Sequence, residues 1–86
     1  MRSIRILYFA RLREQLARDA EELLLPPEAN SVADLIDILR TRGGIWAQAL
    51  GQEQAYRVAV NQAMAKTETA IPANAEVAIF PPVTGG

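Results

Sequence analysis

Ser31-Val32-Ala33-Asp34-Leu35-Ile36-Asp37-Ile38-Leu39-Arg40 carries the strongest periodic signal in the chain. Val32, Leu35, Ile36 and Leu39 recur at i, i+3, i+4 and i+7, which on a helix of about 3.6 residues per turn makes one apolar stripe. Ser31 is a natural N-cap, and Asp34 three residues on completes a pattern like a capping box. Asp34 and Asp37 sit early while Arg40 and Arg42 sit late, as the helix dipole favours. Gly43 or Gly44 is expected to end the helix through a left-handed cap. That glycine pair follows a helix instead of opening one, and no Lys-Ser/Thr comes after it. The chain therefore has no Walker-type phosphate loop and is not expected to bind ATP by itself.

One stripe needs one apolar surface to cover it, and the flanking segments read as strands. In Ile4-Arg5-Ile6-Leu7-Tyr8-Phe9, alternation puts Ile4, Ile6 and Tyr8 on one face and Leu7 and Phe9 with Arg5 on the other. Apolar residues on both faces predict a central strand with something packed across it. Ala10 to Ala17 holds good helix formers, with Leu12 and Leu16 four apart, and predicts a short helix. Glu21 to Leu25 reads as a second strand, stopped by Pro26-Pro27.

After the main helix, Ile45 to Leu50 places Trp46, Ala49 and Leu50 at helical spacing, with Trp46 anchoring the edge of a small core. Tyr56 to Asn61 is a strand with Val58 and Val60 inward, and Asn61-Gln62 favour a turn. Ala63 to Ile71 reads as a short strand and a loop. Pro72 to Ala75 is a turn, and Glu76 to Phe80 is a last strand with Val77 and Ile79 set against Ala78 and Phe80. Strand, short helix, strand, capped helix and further strands predict an α+β domain, one helix across one face of a small mixed sheet. A β-grasp, ubiquitin-like arrangement is the natural candidate.

Composition narrows the chemistry. The chain has 86 residues, half of them apolar, and a formal net charge of −1. This suits one small globular domain and does not suit bulk nucleic-acid binding. Arg2, Arg5, Arg11, Arg13 and Arg18 crowd the beginning, but Asp19, Glu21, Glu22 and Glu28 follow, and the single Tyr8-Phe9 pair among the arginines does not make the aromatic–basic interleaving that nucleic-acid stacking would require. No apolar run is long enough for a membrane span and no signal-peptide pattern precedes the first strand, so a cytoplasmic location is expected. Cysteine and histidine are both absent. Thiol nucleophiles, thiolate zinc sites and the commonest general base are thereby excluded, and no metal site is expected. Lys66 is the only lysine. Carboxylates and Lys66 remain as groups an enzyme could use, but the expected reactive group is other than an ordinary catalytic side chain.

Such a group is offered by the last stretch, Glu76-Val77-Ala78-Ile79-Phe80-Pro81-Pro82-Val83-Thr84-Gly85-Gly86. Pro81 and Pro82 fix φ at about −65° and favour an extended path. Gly85-Gly86 carry no side chains and let partner atoms approach the backbone from every side. At about 3.1–3.3 Å per residue, the six residues from Pro81 would reach roughly 20 Å. Residues 1–80 are thus read as the domain, and 81–86 as an arm presenting a terminal carboxylate to a partner's cleft.

These residues resemble the carboxyl end of the small subunits of molybdopterin synthase, the MoaD-type sulfur carriers. Leu7-Tyr8-Phe9-Ala10 followed by Leu12-Arg13-Glu14, Trp46-Ala47 and Ala59-Val60-Asn61-Gln62 resemble the family's earlier segments in the same order. One departure is Ala73-Asn74-Ala75, where many members carry an acidic-glycine-acidic turn; Asn74 can still supply a left-handed conformation.

The resemblance implies a β-grasp fold and a non-catalytic, sulfur-carrying role inside a sulfurtransferase. Gly86 would be adenylated by a MoeB-type activating enzyme that uses ATP, with no cofactor held tightly by this chain. A persulfide sulfur donor would then leave a thiocarboxylate on Gly86. Pro81, Pro82, Val83, Thr84 and Gly85 would insert into a MoaE-type large subunit, in a heterotetramer. There the sulfur would pass to cyclic pyranopterin monophosphate to build the dithiolene, with catalysis by the large subunit. By motif position, Phe9, Met64 and Phe80 resemble the apolar docking patch, and Arg13 would pair with an acidic groove on a partner. Four alternatives stay open. They are a carrier of the same fold for thiamine synthesis, one for tRNA thiolation, a ubiquitin-like modifier, and an interaction domain with an inert tail.

Overall fold

The capped helix forms where the stripe predicts it. In the computed structural model, which describes residues 1–51 and 55–82, it spans Val32–Arg40 and is here α2. Ser31 Oγ accepts from the Asp34 N–H at 3.3 Å, and the Asp34 carboxylate accepts from the N–H groups of Ser31 and Asn30 at 3.1 and 2.9 Å. Two further amides of the first turn are taken by a loop, Val32 donating to the Thr69 carbonyl and Ala33 to that of Thr67. The N-terminal amides that a helix leaves without internal partners are thereby largely satisfied. Val32, Leu35, Ile36 and Leu39 are all buried.

Around it run β1 (Arg2–Tyr8), α1 (Ala10–Leu16), β2 (Ala20–Leu25), α3 (Ile45–Ala49), β3 (Arg57–Val60), β4 (Ala63–Ala65) and β5 (Glu76–Phe80). The strands form one sheet in the order β2-β1-β5-β3-β4. β1 and β5 are parallel, and the remaining pairs are antiparallel. This is the predicted α+β, β-grasp architecture. The inner face contributes Ile4, Ile6, Tyr8, Val58, Val60, Val77 and Ile79 to a core completed by the α2 stripe, Leu12 and Leu16 of α1, and Ala49 with Leu50. Each fully buried aliphatic side chain contributes roughly 1.5–3 kcal/mol by leaving water.

Turn residues fix the register. Asn61 and Gln62 both have positive φ, 50° and 70°, as a two-residue hairpin turn between β3 and β4 demands. Asn61 also ties that turn to the start of β5: its N–H donates to the Glu76 carbonyl at 2.8 Å, and its side-chain oxygen accepts from the Glu76 N–H at 2.9 Å. Asn74 takes the left-handed conformation, φ 63°, and donates to the Ser3 carbonyl at 2.8 Å. The departure at Ala73-Asn74-Ala75 is therefore accommodated by the one residue there that tolerates such a φ at low cost.

Two expectations need correction. α2 ends on Thr41, whose φ is −65°, and not on a glycine in the left-handed region. The Thr41 N–H and hydroxyl both turn back on the last turn, the hydroxyl donating to the Ile38 carbonyl at 2.5 Å, and the Gly43 N–H then takes the Arg40 carbonyl at 2.9 Å from beyond the helix end. Gly43 and Gly44, with φ 75° and 53°, instead reverse the chain, and Gly44 is the N-cap of the five-residue α3. The second correction concerns β1. It is an interior strand, but its outer face lies open, with Phe9 44% and Met64 62% exposed, because the three helices contribute their buried residues to the core on the other side.

Candidate functional site

The open face of the sheet is where the residues singled out at Phe9, Met64 and Phe80 come together. Alternation along each strand sends odd-numbered residues of β1 outward, opposite to the buried Ile4, Ile6 and Tyr8. The register then lays Leu7 beside Ala78, Ala78 beside Ala59, and Ala59 beside Met64, an apolar row running across four strands. One step along, Phe80 lies opposite Arg57 in β3. Phe9 continues the extended path of β1, with φ −129° and ψ 156°, and its N–H donates to the Ile79 carbonyl at 3.2 Å. Phe9 and Phe80 therefore occupy neighbouring outward positions on adjacent strands. Phe80 is half-buried, and so are Pro81 and Pro82, which carry the chain away from the end of β5.

Arg13 is placed elsewhere. It is exposed on α1, one turn past Phe9, while Leu12 and Leu16 face the core. Val83, Thr84, Gly85 and Gly86 lie outside the described residues. Reading the sequence alone did not single out Leu7, Ala59 and Ala78 as parts of the same surface, or Arg57 as its neighbour. Period-2 alternation carries the signal for the first three, but the parallel pairing of β1 with β5 that brings them together has no local signature.

A second set of polar residues supports this face from the core side. Tyr8 donates its hydroxyl proton to Glu21 Oε2 at 2.6 Å, and Arg42 forks onto both Glu21 oxygens at 2.9 and 2.8 Å. Arg18 reaches the same carboxylate at 3.1 Å. Trp46 meets the Tyr8 ring edge-on, with centroids 5.6 Å apart, and the Arg42 guanidinium lies 4.3 Å from the Trp46 centroid. Burial pushes the Tyr8 phenol far above its ordinary range, and donation to the Glu21 carboxylate pushes it the same way. Burial alone would raise the Glu21 carboxyl, but the hydrogen bonds from Arg42 and Tyr8 together with the two arginine charges more than offset it and hold it below the ordinary value. The cluster presents no acid or base poised near neutrality. Its role is to fasten β1, β2, α3 and the turn after α2 together.

The described residues hold no grouping of three or more histidines, cysteines, aspartates or glutamates able to bind a metal. Nor do they include a helix long and apolar enough to cross a membrane. A groove of about 510 Å³ opens on the helix side between α2 and the β3–β4 hairpin, lined in part by Ile36, Arg40, Tyr56, Val58 and Lys66. Its polar lining also includes Asp37, Arg57 and Thr67. The open face of the sheet, by contrast, is an apolar surface beside the end of β5, where Phe80 is followed by Pro81 and Pro82.

Comparison with known proteins bears on the family and the fold. The family model described as "ThiS family" matches residues 6–86. Molybdopterin synthase sulfur carrier subunits of Haemophilus influenzae and Escherichia coli are each 35% identical over 83 residues, covering 96% of this chain and 99% of the relative. Among solved structures, a putative molybdopterin converting factor subunit 1 from Pyrococcus furiosus superposes with a TM-score of 0.79 at 27% identity, covering 96% of this chain and all of its own. SAMP1 from Haloferax volcanii gives a TM-score of 0.74, also at 27% identity, covering 98% of this chain and 99% of that one.

Proposed function

The chain belongs to the ThiS family, and from that premise we propose that it is the sulfur-carrying small subunit of a molybdopterin synthase. One observation carries the proposal: β5 delivers Phe80-Pro81-Pro82, the start of the motif ending in Gly85-Gly86, from the edge of an exposed apolar face shared by Phe9 and Met64. Similarity over nearly the whole length of two sulfur carrier subunits supports the same reading. The partner it implies is the synthase large subunit.

In this reading the reactive group is the carboxylate of Gly86. An α-carboxylate ionises at a pKa of about 3.3–3.7, so at neutral pH it is an anion and a poor electrophile. Activation would turn it into an acyl-adenylate, a carboxylate oxygen attacking the α-phosphorus of ATP with loss of pyrophosphate. A sulfur nucleophile then attacks the acyl carbon and AMP leaves. If the donor is a persulfide, two electrons from a thiol are also needed to free the thiocarboxylate. The apolar face would seat the domain on each partner in turn, while the arm enters the cleft where a pterin phosphate accepts the sulfur. The absence of histidine and cysteine fits a chain that carries the group and leaves catalysis to its partners.

The test is the intact mass of the protein after incubation with ATP, a MoeB-type activating enzyme and a sulfide source. A gain equal to one oxygen replaced by one sulfur, mapped to Gly86, is the expected result. An unchanged mass, with the enzyme shown competent on another carrier, would overturn the proposal. A second reading follows from the similarity to the small archaeal modifier SAMP1, in which Gly86 would be joined to lysines of other proteins. Conjugates carrying this chain through an isopeptide bond would favour it.

A further inference from the structure

The root of the arm is flanked by two guanidinium groups that the docking patch itself does not explain. Arg57, an exposed residue at the margin of the open face, opens β3 directly opposite Phe80 in the register and also borders the groove beside α2. Arg11 comes from the opposite direction, two residues after Phe9 on α1. Its Nη2 donates to the Ala55 carbonyl at 2.8 Å, two residues before Arg57. That bond fixes one end of a guanidinium with five N–H donors and leaves the others to face outward. Fixing the side chain beforehand reduces the conformational entropy that a contact would otherwise cost. Among the described residues neither arginine makes an ion pair, whereas Arg18, Arg40 and Arg42 do. Among the described residues, then, no carboxylate pairs with either charge, and Arg11 is bonded two residues before Arg57 at this margin of the sheet.

We propose that Arg11 and Arg57 form a cationic rim at the root of the arm that recognises carboxylates around the arm-accepting cleft of the synthase large subunit. The proposal rests on the docking role given above. Two arguments commit the rim to a protein partner bearing acidic groups. The rim is continuous with the Phe9–Phe80 surface, so whatever covers that surface must also meet it. Apolar patches of this size are flat and alike, and charges at their margin supply orientation and encounter rate. Like charges along one margin attract an acidic surface over about one Debye length, 8–10 Å at ordinary salt, before any side chains touch.

The test is stopped-flow association of the full chain with its own organism's large subunit, at ionic strengths from about 0.02 to about 0.5 M. Association of the unaltered protein is expected to slow steadily with salt. Arg57→Glu, which leaves the Arg11–Ala55 bond in place, is expected to slow it about tenfold at low salt, the difference vanishing at high salt. Arg57→Lys should retain most of the rate, and Arg11→Glu combined with Arg57→Glu should slow it further. Association that is independent of salt, or unchanged in Arg57→Glu while Phe80→Ala abolishes the complex, would overturn the rim and leave the docking face standing. A complex that survives Phe80→Ala and removal of the arm as well would overturn both.

Discussion

The Arg42 guanidinium lies 4.3 Å from the Trp46 ring centroid while two of its N–H groups hold the Glu21 carboxylate at 2.8 and 2.9 Å. One side chain thus joins the turn after α2 to α3 and to edge strand β2. Removing it would leave Glu21 with Arg18 and Tyr8 as partners. Arg42→Ala is expected to cost about 1–2 kcal/mol, combining a forked charge-assisted pair with a cation–π contact. In a domain of this size that lowers Tm by about 4–8 °C for each kcal/mol. The pH dependence has a definite sign. The Glu21 carboxyl is held below its ordinary 4.5, so its contribution is fully present above that pH and is lost as pH falls through the depressed value. The Tm gap between the unaltered protein and Arg42→Ala should therefore be widest above pH 4.5 and narrow below it. Tyr8 acts at the other extreme: its raised pKa means that stability is retained up to its ordinary 10.0 and declines above it. A gap that stayed constant through the acid range would show that Arg42 acts by packing alone.

Ala17 closes α1 in the left-handed region, with φ 55° and ψ 38°, and its N–H turns back to the carbonyls of Arg13 and Glu14. This is the position glycine occupies in many helix ends, because a Cβ there crowds the following carbonyl. Ala17→Gly should relieve that strain and stabilise the domain by about 0.5–1 kcal/mol, although glycine adds disorder to the unfolded chain. Thermal unfolding decides the matter, and a fall in Tm would contradict the strain argument.

Met64 is 62% exposed on β4, next to Ala59 in the apolar row of the open face. Met64→Glu should leave stability within about 0.5 kcal/mol, as surface substitutions usually do. Binding to the large subunit should nevertheless weaken by about tenfold or more, because a carboxylate in a dry interface must shed its hydration without a partner. Unchanged affinity by calorimetry would remove Met64 from the docking face.

How much of this could be read from sequence depended on how local its cause is. α2 was legible because Ser31, Asp34 and the four-residue stripe act within three turns of one helix, and all of them behave as predicted. The Asn61-Gln62 turn and the left-handed Asn74 were legible for the same reason. The end of α2 was misread because Thr41, still right-handed, caps the last turn with its N–H and hydroxyl, and the left-handed Gly43 and Gly44 come only after it, where they turn the chain. Phe9, Met64 and Phe80 could be named from the family resemblance. Their common face, with Leu7, Ala59 and Ala78 filling the row, depends on β1 pairing in parallel with a strand some seventy residues away in sequence. The joining of Glu21, Arg42, Trp46 and Tyr8 depends on three-dimensional closure in the same way, so no spacing rule announces it.

Deletion of Gly86 tests the proposed division between domain and arm most sharply. The buried core runs from Ile4 to Ile79. Nothing in it draws on Pro81 or Pro82, the described start of the arm. Removing the final residue should therefore change Tm by no more than the shift expected of a surface substitution, about 0.5 kcal/mol in stability. Sulfur loading requires more than a carboxylate near the right place. With Gly86 gone, the new terminal carboxylate on Gly85 falls short by one residue, about 3.3 Å. A nucleophile misplaced by that distance loses the close approach that adenylation depends on. Loading measured by intact mass should fall below detection, while the apolar face continues to bind the large subunit with reduced affinity. If the shortened chain still gained sulfur, the reactive carboxylate could not be that of Gly86. If it lost several kcal/mol of stability instead, the boundary drawn between residues 80 and 81 would be wrong, and the last residues would belong to the fold.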